Sequence, residues 1–454
     1  MRVLLVDPAA KPVVSRKRRG ITRFPMVSLQ YVAGITPPEH EVRIVEEEAE
    51  PIDFGADCDL VGITCLTASA PRAYQIADRF RRRGTPVVLG GVHPTVLPEE
   101  AGRHADAVVV GEAEPVWEAV LADVSHRSLK PVYKGGTDWS LDDYALPRRD
   151  LLRSKMILGV VPVVTSRGCP YACDFCCVRN VFGRKIRHVA VPRVLQDIQS
   201  CGANRVMFLD DNIVGDQAYA DTLFDALKPL GIQWVGQASV SFVRNTRLLE
   251  KAAASGCKGL FIGLESVSEQ RMARMQKSMK SLSDNADAIR RITESGILFH
   301  ASMVFGFDDD DPSIFDQTLE FMHRTRIASA TFNLLTPYPG TVLYDQLKAE
   351  GRLLTEDWRD YDHCSPTFIP RRMSVEQLVD GYQRVRSTFW STGSILARMP
   401  TNWRTPLLYL VANLGQKMAL RPEEREPWHL GLPRVVSSAA GSVYGWVRSA
   451  LERL

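Results

Sequence analysis

The chain contains no apolar run approaching the roughly 20 residues that a transmembrane helix requires. It has no marked excess of either charge: 56 Lys and Arg stand against 53 Asp and Glu, a formal net charge of +3, which gives no general electrostatic basis for binding nucleic acid. There is no internal repeat and no low-complexity tract. A disulfide framework is also lacking, because nine cysteines in 454 residues is an odd number in a long chain. The opening "MRVLLVDPAA" is too short an apolar stretch for a signal peptide, so a reducing, cytoplasmic setting is expected, where clustered thiols do metal or redox work. Finally, the paired Cys-x2-Cys knuckles of a structural zinc site are missing, since one cluster has no second to match it.

What is present divides into three parts and a connector. Residues 1–125 alternate short β-branched runs with helical patterns. The runs are "RVLLV" (Arg2–Val6), "EVRIV" (Glu41–Val45), "LVGIT" (Leu60–Thr64), "PVVLGG" (Pro86–Gly91) and "AVVVGE" (Ala107–Glu112). Continuous apolar strands suit a parallel sheet covered on both faces, and "SAPRAYQIADRFRRRG" carries apolar residues at helical spacing up to Gly84. The expectation is a doubly wound, Rossmann-like α/β domain that binds its ligand at the carboxyl ends of the strands. Thr64, Thr67, Gly90, Gly91, His93, Gly111 and Glu112 occupy those ends. Residues 126–155 read as a polar linker. A second alternation over 156–345 places strands near Val161–Ser166, Arg205–Leu209, Gln233–Ala238, Gly259–Leu264, Leu298–Phe305 and Ala330–Leu335. Six units about 30 residues apart suggest a partial (β/α)6, TIM-like barrel, with chemistry at its strand ends. Residues 346–454 read as mostly helical, with one good helix starting near Ser374.

Directly after the first barrel strand comes "GCPYACDFCC", Gly168–Cys177, holding four of the nine cysteines. Cys169, Cys173 and Cys176 have the spacing Cys-x3-Cys-x2-Cys. Three thiolates so placed can ligate three irons of a four-iron cluster and leave the fourth iron open. Cys177, adjacent to Cys176, points elsewhere and is not expected to complete the set. A structural zinc site, an electron-transfer cluster closed by Cys201, and chance clustering are the alternatives.

"CPYACDFC", with Phe175 in its aromatic place, on the first loop of a six-unit barrel resembles the radical S-adenosylmethionine enzymes. "GGVHPTVLPEEAGRHADAVVVGEAE" in the N-terminal part resembles the cobalamin-binding domain of one large branch of them. The resemblance implies a [4Fe-4S] cluster on Cys169, Cys173 and Cys176, with S-adenosylmethionine chelated at the open iron and split to a 5′-deoxyadenosyl radical. It places Phe175 and Gly306 near adenine, Asp210 and Asp211 of "LDDN" near the methionine amino group, and Glu265 of "GLESVS" near ribose hydroxyls or that amino group. Around cobalamin it places Thr64 and Thr67 by the nucleotide tail, and Gly90, Gly91, Gly111 and Glu112 against the corrin. No histidine follows the first strand in "VDPAAKPVVS", so no cobalt ligand is expected from that loop, and His93 is read as shaping the site or touching the corrin edge.

The resemblance further implies methyl transfer to an unactivated carbon of a natural product or lipid, with oxidative cyclisation or rearrangement as the alternative and a non-catalytic sensor as a reading of another class. A small-molecule or lipid substrate and an external one-electron reductant of flavodoxin or ferredoxin type are the expected partners, and no nucleic acid. Residues 381–454 hold ten Lys and Arg against four Asp and Glu, with tryptophans at 390, 403, 428 and 446. "WRTPLLYLVANLGQKMAL" (Trp403–Leu420) therefore reads either as a surface for peripheral membrane contact or as a packed subdomain roofing the barrel.

Overall fold

The computed structural model describes residues 1–10, 27–143, 145–152, 159–275, 281–399 and 406–420. Six strands build the N-terminal sheet: β1 (Arg2–Asp7), β2 (Glu41–Glu46), β3 (Leu60–Thr64), β4 (Val87–Gly90), β5 (Ala107–Val110) and β6 (Val132–Lys134). They run in the order β2-β1-β3-β4-β5-β6, every pair parallel. Their apolar runs are continuous because helices cover both faces: Val3, Leu4, Leu5 and Val6 are all buried, as are Leu60 to Ile63. The helix Ala70–Arg81 buries Ala73, Tyr74, Ile76, Ala77 and Phe80 along one stripe. The strand order reverses between β1 and β3, the point at which doubly wound sheets open a crevice for ligands.

The sheet does not stop at residue 125. β6 lies inside the expected linker and pairs with β5. Its three residues alternate exposed, buried, exposed, and only Tyr133 anchors it, donating its hydroxyl to Asp123 at 2.7 Å. So short an edge strand carries no readable periodicity.

The second sheet contains β7 (Val160–Val163), followed by the short β8 (Ser166–Arg167) and β9 (Arg187–His188), which pair only with each other. It continues with β10 (Arg205–Phe208), β11 (Gln233–Ala238), β12 (Cys257–Glu265), β13 (Leu298–Phe305) and β14 (Ser329–Leu334). The order β7-β10-β11-β12-β13-β14 is parallel throughout, an open six-stranded barrel. The first barrel strand ends at Val163 rather than at Ser166, because Thr165 and Ser166 turn away to hydrogen-bond Asp210.

The C-terminal section closes the barrel at both ends. The helix Val375–Phe389 starts with a capping box between Ser374 and Gln377. At the amino ends of the strands, the fully buried Arg398 donates to the carbonyls of Ile327, Ala328 and Phe389 and lies over the Phe389 ring. The helix Pro406–Ala419 docks there through Tyr409 and Asn413, both buried, which is the packed alternative for this segment. No helix among the described residues is long and apolar enough to cross a membrane. Trp403 and the tail from 421 onward, with Trp428 and Trp446, lie outside the described residues.

Candidate active site

The cluster loop leaves β8 at Arg167 and returns through the helix Val178–Phe182 into β9. Gly168 opens it at φ 94°, and a Cβ there would stand 2.5 Å from the Lys185 carbonyl oxygen, so only glycine lets the two arms of the loop meet. Cys169, Cys173 and Cys176 are half-buried on this loop, none in a disulfide, with the Cys176 amide bonded to the Cys173 carbonyl at 3.2 Å. Among the described residues no three His, Cys, Asp or Glu side chains converge on a point that would suit a single metal ion. Three thiols on one loop suit a polynuclear cluster, in which each binds its own iron. Burial pushes the Cys177 thiol pKa up.

The adjacent carboxylates of "LDDN" have separate surroundings. Asp210 is buried and accepts from the Thr165 hydroxyl at 2.8 Å and the Ser166 hydroxyl at 2.6 Å, bracing the approach to the cluster loop from beneath. Burial raises its pKa. Asp211 is only partly covered, and burial together with the Asp210 charge pushes it up to about 6. Asp210 is committed to the scaffold, while Asp211, half-buried, accepts from the Gly168 amide at the start of the cluster loop.

Glu265 ends β12 with φ 65°, a left-handed conformation in a non-glycine residue, where the pairing with β13 shifts register. Such an outlier costs on the order of 1–3 kcal/mol and persists where the surroundings impose it. The bulge sets this buried glutamate at the strand's carboxyl end. Gly306 follows β13, and its amide and that of Phe307 donate to Asp310 at 2.9 and 3.0 Å. Phe175 from the cluster loop meets Phe307 edge-on, ring centroids 5.8 Å apart, and packs with Val304, Leu335, Leu347 and Phe368. The residues expected near adenine are thus neighbours.

Two groups here carried no sequence signal. Arg271 donates to Asp174 of the cluster loop at 2.9 Å, and its guanidinium lies 4.0 Å from the Phe307 ring centre. Tyr338 and His363, from separate elements, hydrogen-bond at 2.9 Å beyond the end of β14. His363 is exposed, has φ 63°, and is held by its carbonyl to the Leu334 amide. Neither pairing has a local spacing to betray it.

On the N-terminal sheet, Thr64, Gly90, Gly91 and Gly111 are partly exposed at the ends of β3, β4 and β5. Gly91 has φ 100°, and a Cβ there would lie 2.8 Å from the Thr64 hydroxyl. Leu66 beside them is 47% exposed. Small residues and an exposed leucine at strand ends fit a large planar group lying on backbone.

Three of the expected cobalamin residues turn their side chains inward. His93 is fully buried, with its nitrogens 3.3 Å from the Thr67 hydroxyl and 3.3 Å from Glu100, so its ring helps shape the domain. Thr67 is its partner. Glu112 is buried. Its carboxylate pairs with Arg187 and, at 3.4 Å, with Arg167, and accepts from the Trp139 indole at 2.6 Å.

The chain matches three family descriptions: "B12 binding domain" over residues 22–121, "Radical SAM superfamily" over 163–322, and "Domain of unknown function (DUF4070)" over 341–408. It is 30% identical over 432 residues to Bacteriochlorophyllide d C-12(1)-methyltransferase of Chlorobaculum tepidum, covering 91% of this chain and 93% of that protein. Identity to Hopanoid C-2 methylase of Rhodopseudomonas palustris is 27%, over 74% of this chain and 67% of that one. Among solved structures, the radical S-adenosylmethionine methyltransferase TsrM from Kitasatospora setae superposes with a TM-score of 0.65 at 15% identity, covering 91% of this chain and 96% of TsrM.

Proposed function

The chain belongs to the cobalamin-binding radical S-adenosylmethionine enzymes, and from that premise we propose that it is a C-methyltransferase acting on an unactivated carbon of a large apolar ring system, with cyclic tetrapyrroles the first class to test. The observation that carries this reading is the meeting of its two cofactor-bearing ends. The residue after Gly111, at the end of β5, is ion-paired to the residue two before Cys169, so both sites open onto one interface. When bound, the cluster with S-adenosylmethionine supplies a carbon-based radical, and cobalamin supplies a carrier for a methyl group.

The protein's own residues do the rest. Cys169, Cys173 and Cys176 would hold the cluster, with one iron left for the methionine end of S-adenosylmethionine. Asp211 and Glu265 offer carboxylates to its ammonium or ribose. Phe175, Phe307 and Gly306 form the apolar wall for adenine, and Arg271 ties that wall to the cluster loop through Asp174. Packing of Phe368 and Leu335 behind them excludes water, which a radical site requires. Tyr338 and His363, bonded to each other beyond the end of β14, are placed to meet the substrate.

The tetrapyrrole class is supported by the full-length similarity to the bacteriochlorophyllide enzyme. An external one-electron donor of flavodoxin or ferredoxin type completes the reading. Arg184 and Lys185 are exposed beside the cluster loop without an ion-pair partner among the described residues, a basic landing for an acidic donor. Peripheral contact with a lipid surface through the C-terminal region is supported by the basic, tryptophan-bearing composition of residues 381–454. The deciding experiment supplies methyl-labelled S-adenosylmethionine and a chlorin under anaerobic reduction. Label in the product is expected. Deoxyadenosine formed without label in any product rejects methyl transfer.

A further inference from the structure

We propose that Glu112 is a positioning residue, the central post of a strut that fixes the cobalamin-bearing strand end against the cluster loop. The inference goes beyond the methyltransfer reading and concerns how the two cofactor sites of one chain are held in register.

β8 and β9 form a two-residue antiparallel ladder in which Arg167 stands directly opposite Arg187. Like charges facing each other across a ladder are unfavourable, and both guanidinium groups are nearly buried, at 12% and 11% exposure. Asp211 of the barrel acts on Arg167 through its charge, and carboxylates of the N-terminal domain form ion pairs with both arginines. Glu112, 1% exposed, pairs with both arginines, and Glu114, 8% exposed, takes Arg167 at 2.7 Å. Two carboxylates and two guanidinium groups make a neutral, desolvated set whose acidic half lies on one domain and whose basic half lies on the other.

Three segments meet at the one carboxylate. Gly111, immediately before it, donates its amide to Thr95, which in turn bonds the Gly91 carbonyl, so Glu112 is rigidly joined to the strand ends assigned to cobalamin. Trp139, from beyond β6, donates to the same carboxylate and lies 6.0 Å from the Arg187 guanidinium. Arg167 is two residues from Cys169, and Ser166 beside it is clamped by Asp210. The cluster loop is therefore held by Asp210 and Asp211 from the barrel and by Glu112 and Glu114 from the cobalamin domain. Without the Glu112 carboxylate the two facing arginines lose the partner they share, so the ladder beside the cluster loop relaxes and the loop shifts with it. A displacement of about 1 Å between reacting partners costs on the order of a hundredfold in rate, which is the scale on which such a strut acts.

The test uses the reconstituted holoenzyme and needs no substrate. Cobalt(II) in cobalamin and the reduced cluster each carry unpaired spin, so pulsed electron paramagnetic resonance reads the interaction between them. The wild-type protein is expected to give one narrow distance. Glu112→Gln and Arg187→Met are expected to retain cobalamin and iron at wild-type stoichiometry while the distance broadens or shifts. With a turned-over substrate, methylated product per deoxyadenosine falls about a hundredfold in both. An unchanged distance in either loaded variant overturns the proposal. So does failure of both variants to hold their cofactors, since the network would then serve stability alone. A wild-type protein without cobalamin would instead count against the family reading itself.

Discussion

Asp210 and Asp211 are neighbours in sequence with opposite tasks, and substitution separates them. Asp210→Asn removes the charge that accepts from Thr165 and Ser166, and is expected to destabilise the fold by about 1–3 kcal/mol in urea unfolding. Asp211→Asn is expected to leave stability unchanged and to weaken S-adenosylmethionine binding at least tenfold, about 1.4 kcal/mol, in equilibrium titration. The reverse pattern would exchange their roles. His300 lies in the barrel lumen between the Ser329 and Thr331 hydroxyls, at 3.1 and 2.7 Å, and burial lowers its pKa from 6.5 to about 4. The unfolded chain takes up a proton at 6.5 that the folded chain resists, so this residue's contribution is present above that pH and is lost as pH falls toward 4. The loss amounts to about 3 kcal/mol. His300→Asn is expected to flatten the fall of the melting midpoint across that window, and an identical profile would remove His300 from the explanation.

Between elements, Arg398 joins parts that are far apart in the chain. It donates to the carbonyls of Ile327, Ala328 and Phe389, with no carboxylate partner among the described residues, and burial lowers its pKa to about 10. Arg398→Met removes the donor to the Ile327 and Phe389 carbonyls, while Ala328 keeps its bond from Asn413, and is expected to destabilise by about 2–4 kcal/mol, read by chemical unfolding. The strands of both sheets were legible because buried parallel strands are continuous apolar runs such as Val3–Val6 and Leu60–Ile63, and the cluster loop was legible because its spacing is local. The side-chain partnerships were not. Glu112 meets Arg187 across 75 positions, and neither residue type nor spacing marks which arginine a glutamate will find. The same holds for Tyr338 with His363, and for the inward turn of His93, whose motif reads alike whether the ring faces ligand or core. β6 escaped notice because a three-residue edge strand has no period.

At the scale of the whole molecule, the chain is an N-terminal sheet and an open barrel, each presenting strand ends, joined where β5 meets the cluster loop and closed by a C-terminal section. Trp358 of that section bonds Glu100 of the N-terminal domain at 2.9 Å, so all three parts touch. The arrangement has meaning only if the cluster loop leaves an iron open to S-adenosylmethionine. The direct measurement is electron paramagnetic resonance of the anaerobically reconstituted, reduced protein before and after S-adenosylmethionine is added, with deoxyadenosine quantified in the same sample. The account predicts about four irons per chain, a spectrum that changes on addition, and deoxyadenosine formed. Bound zinc, or a cluster whose spectrum ignores S-adenosylmethionine and yields no deoxyadenosine, would contradict it.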